Sequence, residues 1–339
     1  MHGTEAPLTL AEQKRQLVRE KLIRELGPTI MAALGDPKVV EIMLNPDGKL
    51  WVDVLGEGMK DTGERFSGAK AENMLGTIAS MLEITLNLEN PVLQGELPLD
   101  GSRVQGIMRP VVSSPSFAIR KRASLIYTLD DYVESGILDR AHADALESAV
   151  FERKNILIVG STGSGKTTLA NALLHEMSIA AGTQQRVVII EDTVELQCAA
   201  PNVVSLRTSD FVDMTQCLKC TMRLRPDRIV VGEVRDHAAL ALLKAWNTGH
   251  PGGLSTVHAN SAAAGLLRLE QLIAESKNVQ PQPVLIAEAV DLIAFITRTK
   301  KSRRVTQLVR CLGHEGGEYV LESIAGDAPV NEMVAVAET

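Results

Sequence analysis
Apolar and polar positions divide the chain into two textures. Over residues 8–34, Leu10, Leu17, Val18, Leu22 and Leu26 share a stripe with Lys, Arg and Glu opposite. That is the spacing of a surface helix, which Gly27-Pro28 interrupts or restarts. Residues 39–45 (VVEIMLN) and 50–54 (LWVDV) read as strands joined at Pro46-Asp47-Gly48, a hairpin. A second helical pattern covers 69–86, and 91–122 carries short apolar runs broken by glycine and proline. This portion predicts a smaller α+β domain over 1–128. From 124 to 140 the chain turns acidic and polar, and 129–140 is read as a linker. Beyond it, apolar runs at 156–159, 187–190, 203–206, 229–231 and 254–257 alternate with amphipathic helical stretches. That alternation predicts an α/β domain over 141–325, with a mostly parallel sheet covered on both faces. Residues 326–339 read as a poorly ordered tail.

Composition narrows the partners. The 339 residues suffice for two cores, and with only 3% aromatics those cores must be aliphatic. Few rings also count against binding single-stranded nucleic acid by stacking, and a net charge of −7 does not attract it. No specific nucleic-acid binding is expected. The best membrane candidate, 284–296, is broken by Glu288 and Asp291 and falls short of the ~18 apolar residues a span needs. The start, MHGTE, has no basic region leading into an apolar core, so no signal peptide is read and a cytoplasmic location is expected. Cys217 and Cys220 form a C-x-x-C without the second pair a zinc site requires. They fall in an amphipathic helical pattern and, with Cys198 and Cys311, are expected to be reduced core cysteines.

The sharpest motif runs Gly160-Ser161-Thr162-Gly163-Ser164-Gly165-Lys166-Thr167-Thr168, a G-x-x-x-x-G-K-[ST] match between an apolar strand and a helical pattern. Glycines let successive backbone N–H groups turn toward phosphates. Lys166 would reach the β- and γ-phosphates, Thr167 would ligate Mg²⁺, and the following helix would point its positive end at the anion. Mg-ATP is the expected ligand. Two apolar strands then end in acids. One is RIVVGEVR, with Glu233 placed to order the metal's water shell or polarise an attacking water. The other is VVIIEDTVE, ending at Glu191, Asp192 and Glu195. A third run, GHPGGLSTVHAN, ends in His258, which could read the γ-phosphate. Alone, such a histidine is more often a satisfied polar group, and acidic strand ends more often serve solubility.

Those four boxes in that order resemble the secretion superfamily of traffic ATPases: GSTGSGKT as Walker A, VVIIEDTVEL as the Asp box, RPDRIVVGEVR as Walker B, and GHPGGLSTVHAN as the His box. VVEIMLNPDG and LDGSRVQ in the first domain add to the likeness, which covers about 37–300 and is greatest to the conjugative type IV secretion branch. The resemblance implies a RecA-like ATPase domain, a homohexameric ring, and ATP between the two domains. It also implies work with inner-membrane components of a conjugation machine, on the membrane's cytoplasmic face. Arg103 (in DGSR) and Arg120 (in FAIRK) match family arginines that contact phosphates. Glu233 is then the first choice for polarising water, Glu191 the second, and His258 the sensor. Walker B ends in Gly-Glu rather than Asp, which makes the Mg²⁺ contact water-mediated. The missing tetracysteine module disfavours the type II secretion branch. The expected function is a motor powering conjugative pilus assembly or substrate transfer. Its rivals are a pilus assembly or retraction motor, a DNA-translocating helicase-like motor, a non-hydrolysing scaffold, and a P-loop kinase.

Overall fold
The computed structural model describes residues 9–55, 57–121, 126–209, 211–276, 279–299 and 302–324, so the expected tail at 326–339 lies outside the described residues. The chain divides into two compact units, Met1–Leu125 and Ile126–Thr339.

In the first unit, helix α1 (Leu10–Gly35) opens with a capping box. The Thr9 N–H donates to the Glu12 carboxylate at 2.7 Å, and the Glu12 N–H returns to Thr9 Oγ1 at 3.4 Å. Gly27, at φ 77°, and Pro28 break the helix where the sequence places the interruption. There follow β1 (Val39–Leu44), β2 (Lys49–Val54), β3 (Gly58–Arg65), α2 (Gly68–Met81), β4 (Val92–Glu96), β5 (Arg103–Ile107) and β6 (Ser116–Arg120). The strands form one antiparallel sheet in the order β3-β2-β1-β6-β5-β4. Alternate residues such as Ile42, Leu44, Val104, Phe117 and Ile119 share a core with Leu22, Leu26 and Ile30 of α1 and Leu75 and Ile78 of α2. β3 was not foreseen because its sequence, GMKDTGER, is polar on both faces. Helix α2 stops five residues earlier than its apolar pattern suggests. Glu83 takes a left-handed φ of 59°, and the Ile84 N–H donates to the Ala79 carbonyl, closing a Schellman turn.

The second unit carries α3 (Leu129–Glu134), α4 (Arg140–Phe151), β7 (Ile156–Val159), α5 (Lys166–Ala181), β8 (Val187–Glu191), β9 (Val203–Arg207), α6 (Met214–Thr221), β10 (Arg228–Val231), α7 (Ala238–Asn247), β11 (Leu254–Val257), α8 (Ala262–Ala274), α9 (Pro283–Ala289), β12 (Leu292–Arg298), β13 (Arg303–Glu315) and β14 (Glu318–Ser323). Its sheet runs β14-β13-β12-β7-β11-β10-β8-β9. The strands from β12 to β9 are parallel, and β13 and β14 are antiparallel. β7 shows why the central strands are unbroken apolar runs: Ile156 and Ile158 enter one core, Leu157 and Val159 the other. The central strands are thus buried on both faces.

Three readings change here. Residues 129–140, expected as a linker, contain α3, whose Leu129 and Tyr132 are buried in the second unit's core. Apolar side chains at 129, 132 and 133 give that acidic segment a helical face. The apolar stretch 284–296 is α9 followed by the central strand β12, with Asp291 between them accepting the Asn155 N–H at 2.8 Å. Finally, α6 buries Cys217 but exposes Cys220, while Cys198 and Cys311 are half-buried, so only one of the four is a core residue.

At the amino ends of the parallel strands, Arg228 is 1% exposed. Its guanidinium donates to Gln185 Oε1 (2.6 Å) and the Val150 carbonyl (2.9 Å), and burial pushes it down to about 10. It ties α4 and the turn before β8 to one edge of the sheet.

Candidate active site
The chemistry gathers at the opposite edge. β7, β11, β10 and β8 are adjacent and parallel, so their carboxyl ends bring the Gly160–Lys166 loop, His258, Glu233 and Glu191 to one rim. Crevices outside the carboxyl ends of such strands are where α/β sheets bind ligands.

The loop between β7 and α5 is shaped by its glycines. A Cβ on Gly160 would lie 2.4 Å from the Ile296 carbonyl oxygen, and Gly165 has a φ of 101°. Gly165 is also the N-cap of α5 and supplies no side-chain cap, leaving the helix's first N–H groups for the loop side. Lys166, 7% exposed, curls back over the loop. Its ammonium donates to the carbonyls of Gly160 (3.0 Å) and Ser161 (3.2 Å) and to His258 Nδ1 (3.1 Å). Among the described residues the buried Ser164 hydroxyl has no hydrogen-bond partner. A cradle that only glycine fits, a lysine at its floor and an orphaned hydroxyl suit a polyphosphate. Thr167 and Thr168 stand in the first turn of α5, and Ser161, Thr162 and Gly163 form the loop's exposed side. For a magnesium ion the available donors are hard oxygens, the Thr167 hydroxyl and the rim carboxylates, which also fit.

His258 bridges Lys166 and Glu233. The Lys166 ammonium lies 3.1 Å from Nδ1 and 3.5 Å from Nε2, and Nε2 faces Glu233 Oε1 at 2.9 Å. That contact is within ion-pair distance, and among the described residues Oε1 accepts no hydrogen bond. Burial first, then the Lys166 charge, holds His258 below its ordinary 6.5, against the pull of Glu233. For Glu233 burial pushes upward, but the hydrogen bond from Arg235 and the charges of Arg235, His258 and Lys166 outweigh it and hold the carboxyl low. Arg235 Nη2 donates to Glu233 Oε2 at 2.6 Å. Sequence reasoning missed this arginine, whose one signal was its place two residues after the glutamate.

Glu191 sits differently. It is 4% exposed, and its Oε1 accepts the N–H groups of Glu195 and Leu196, both at 2.9 Å. It braces the segment after β8. Asp192 accepts the Thr208 hydroxyl at 2.7 Å. Arg103 and Arg120 belong to the first unit, exposed and opposite one another in register on β5 and β6, with Glu96 and Glu41 in register on their outer sides. Arg303, at the start of β13, is a second residue the sequence did not single out; its side chain lies over Gly165.

A family described as "Type II/IV secretion system protein" matches residues 91–337. The chain belongs to that family. Among its relatives in the type II/IV secretion system family, a probable conjugal transfer protein TrbB of Sinorhizobium fredii (strain NBRC 101917 / NGR234) is 54% identical over 308 residues, covering 91% of this chain and 94% of the relative. The conjugal transfer protein TrbB of Rhizobium radiobacter is 52% identical over 318 residues, covering 94% and 97%. The crystal structure of the pilus retraction motor PilT with bound ADP shares the fold, with a TM-score of 0.56 at 20% identity over 94% of this chain and 82% of that one. This member of the secretion-system family is thus α/β in its second unit. Among the described residues no helix is long and apolar enough to cross a membrane.

Proposed function
We propose that this chain is a magnesium-dependent ATPase, with a RecA-like P-loop domain over its second unit, that powers a conjugative type IV secretion machine. One observation carries the chemistry: Lys166 of the glycine loop lies 3.1 Å from His258, which lies 2.9 Å from Glu233. A phosphate-binding lysine, a sensor of its position and a carboxylate able to polarise water thus form one connected group. The TrbB names of the relatives point to conjugation, and the bound ADP of PilT fits a nucleotide site on this fold.

In this reading the loop N–H groups and Lys166 hold the polyphosphate, Lys166 exchanging neutral carbonyls for charged oxygens, which bind it more strongly. A magnesium ion held by Thr167, and through water by Glu233, would neutralise charge on the β- and γ-phosphate oxygens. Glu233 orients the attacking water through Oε1. Arg103 and Arg120 deliver positive charge to the γ-phosphate as the loose transition state forms. His258, joined to both Lys166 and Glu233, couples loss of the γ-phosphate to the carboxylate. The working form would be a homohexamer, peripheral on the cytoplasmic face of the inner membrane and docked on membrane components of the machine.

The test is ATP hydrolysis with Mg²⁺, measured with native mass for wild type, Lys166→Ala and Glu233→Gln. Wild-type turnover should fall at least a hundredfold in Glu233→Gln, the scale of a lost general base, while the ring persists. Lys166→Ala should also lose nucleotide binding. A wild-type ring that binds ATP and never turns over, even with membranes present, would make it a scaffold. Hydrolysis stimulated by DNA would favour a translocating motor.

A further inference from the structure
The glycine loop has two flanks, and the chemistry described above occupies one. β11, on one side of β7, leads to His258, with Glu233 beyond it, just past the end of β10. On the other side β12 runs parallel to β7, pairing Leu292 with Ile156 and Phe295 with Val159. It then reverses into β13, where Thr299 Oγ1 accepts the Ser302 N–H at 3.0 Å and Arg303 pairs with Arg298. Two residues on, the Val305 N–H donates to the Ile137 carbonyl at 2.9 Å and fixes the start of β13 to the turn between α3 and α4. So anchored, Arg303 extends across the last glycine of the loop. A Cβ on Gly165 would lie 3.0 Å from Arg303 Cδ and 3.6 Å from Nε. Ile296 Cδ1 stands at 3.5 Å from the same point. Among the described residues no carboxylate pairs with this guanidinium, although the buried Tyr132 phenol feels its charge.

We propose that Arg303 binds the nucleotide on the α/β-phosphate side of the loop. The proposal rests on the reading of this loop as a nucleotide site. In a glycine loop of this kind the backbone cradles the α- and β-phosphates and the lysine reaches the β and γ. The carboxylate that polarises water marks the γ end, and it lies on the β11–β10 flank. The β12–β13 flank is therefore the α end. A planar guanidinium half-buried there, without an acid of its own, matches phosphate oxygens in charge and geometry. It differs in kind from Lys166, Glu233 and His258: it touches phosphates that remain on the product and so contributes to holding ADP as much as ATP.

The experiment titrates Mg-ADP and a non-hydrolysable Mg-ATP analogue into the full-length wild type, Arg303→Gln, Arg303→Lys and Lys166→Ala, with melting temperatures alongside. Arg303→Gln should raise Kd for both nucleotides together, by about tenfold, the loss of one charge-assisted hydrogen bond. Arg303→Lys should fall between, and KM for ATP should rise in step with the Kd of the analogue, since binding common to ground and transition states moves KM. Unchanged ADP affinity in a folded Arg303→Gln protein overturns the proposal. So does a loss confined to the ATP analogue, which would put Arg303 at the γ end. A wild type that binds neither nucleotide removes the nucleotide reading itself, and the Lys166→Ala control tells that outcome from failure of Arg303 alone.

Discussion
Glu191 ends β8 and Glu233 follows the neighbouring β10 with the same functional group, yet their surroundings differ. Glu191 Oε1 is taken up by two backbone N–H groups, whereas Glu233 Oε1 faces His258 with no hydrogen bond spent on structure. Removing Glu191 leaves those two N–H groups without an acceptor, at about 1–3 kcal/mol each. Glu191→Ala should therefore lower the melting temperature by several degrees in a thermal scan. Glu233→Gln should leave it nearly unchanged while abolishing turnover. His258 makes a second residue-scale prediction. Its folded pKa is below that of the unfolded chain, so around pH 6.5 the unfolded state binds more protons and stability rises with pH. The contribution is complete above pH 6.5 and is lost on acidification below it. Melting curves at pH 7.5 and 5.5 should differ less for His258→Gln than for wild type; an equal difference would mean His258 titrates normally in the fold.

Among elements, the pairing of β5 with β6 sets two arginines directly opposite one another, an arrangement that by itself disfavours a sheet. Glu96 and Glu41 stand in register on the outer sides, so each arginine has one like and one unlike neighbour. Those effects oppose, and Arg103→Thr or Arg120→Thr should shift stability by no more than about 0.5 kcal/mol. If the pair serves the γ-phosphate, each change should lower kcat strongly with little effect on ADP binding; unchanged kcat in both would make them surface residues. The sequence brought these arginines forward only through family likeness, since nothing local separates them from solvated charge. Lys166, Glu233 and His258 were legible because each follows an apolar run, and such runs become adjacent strands of a parallel sheet. Arg303 was not legible. It lies in the charged stretch RTKKSRR, and only the reversal of β12 into β13 brings it over Gly165. β12 itself was hidden because 284–296 contains both a helix and a strand with no change in apolar texture. Likewise α3 was masked by acidic residues on its outer face.

For the molecule as a whole, the place of β7 has a consequence in time. β7 ends at Val159, but its two partners are β11, Leu254–Val257, and β12, Leu292–Arg298. At ~5–20 residues per second of synthesis, this apolar strand waits on the order of 10 s for both neighbours. During that interval the glycine loop is already made but lacks the strands that complete its rim. Ribosome-bound chains stalled before residue 292 should stay protease-sensitive with or without ADP, whereas chains extended past the β12–β13 hairpin should gain protection from it. The newborn protein would then depend on chaperones for the interval between its first functional motif and its last central strand, and its yield would be governed by translation speed downstream of the loop.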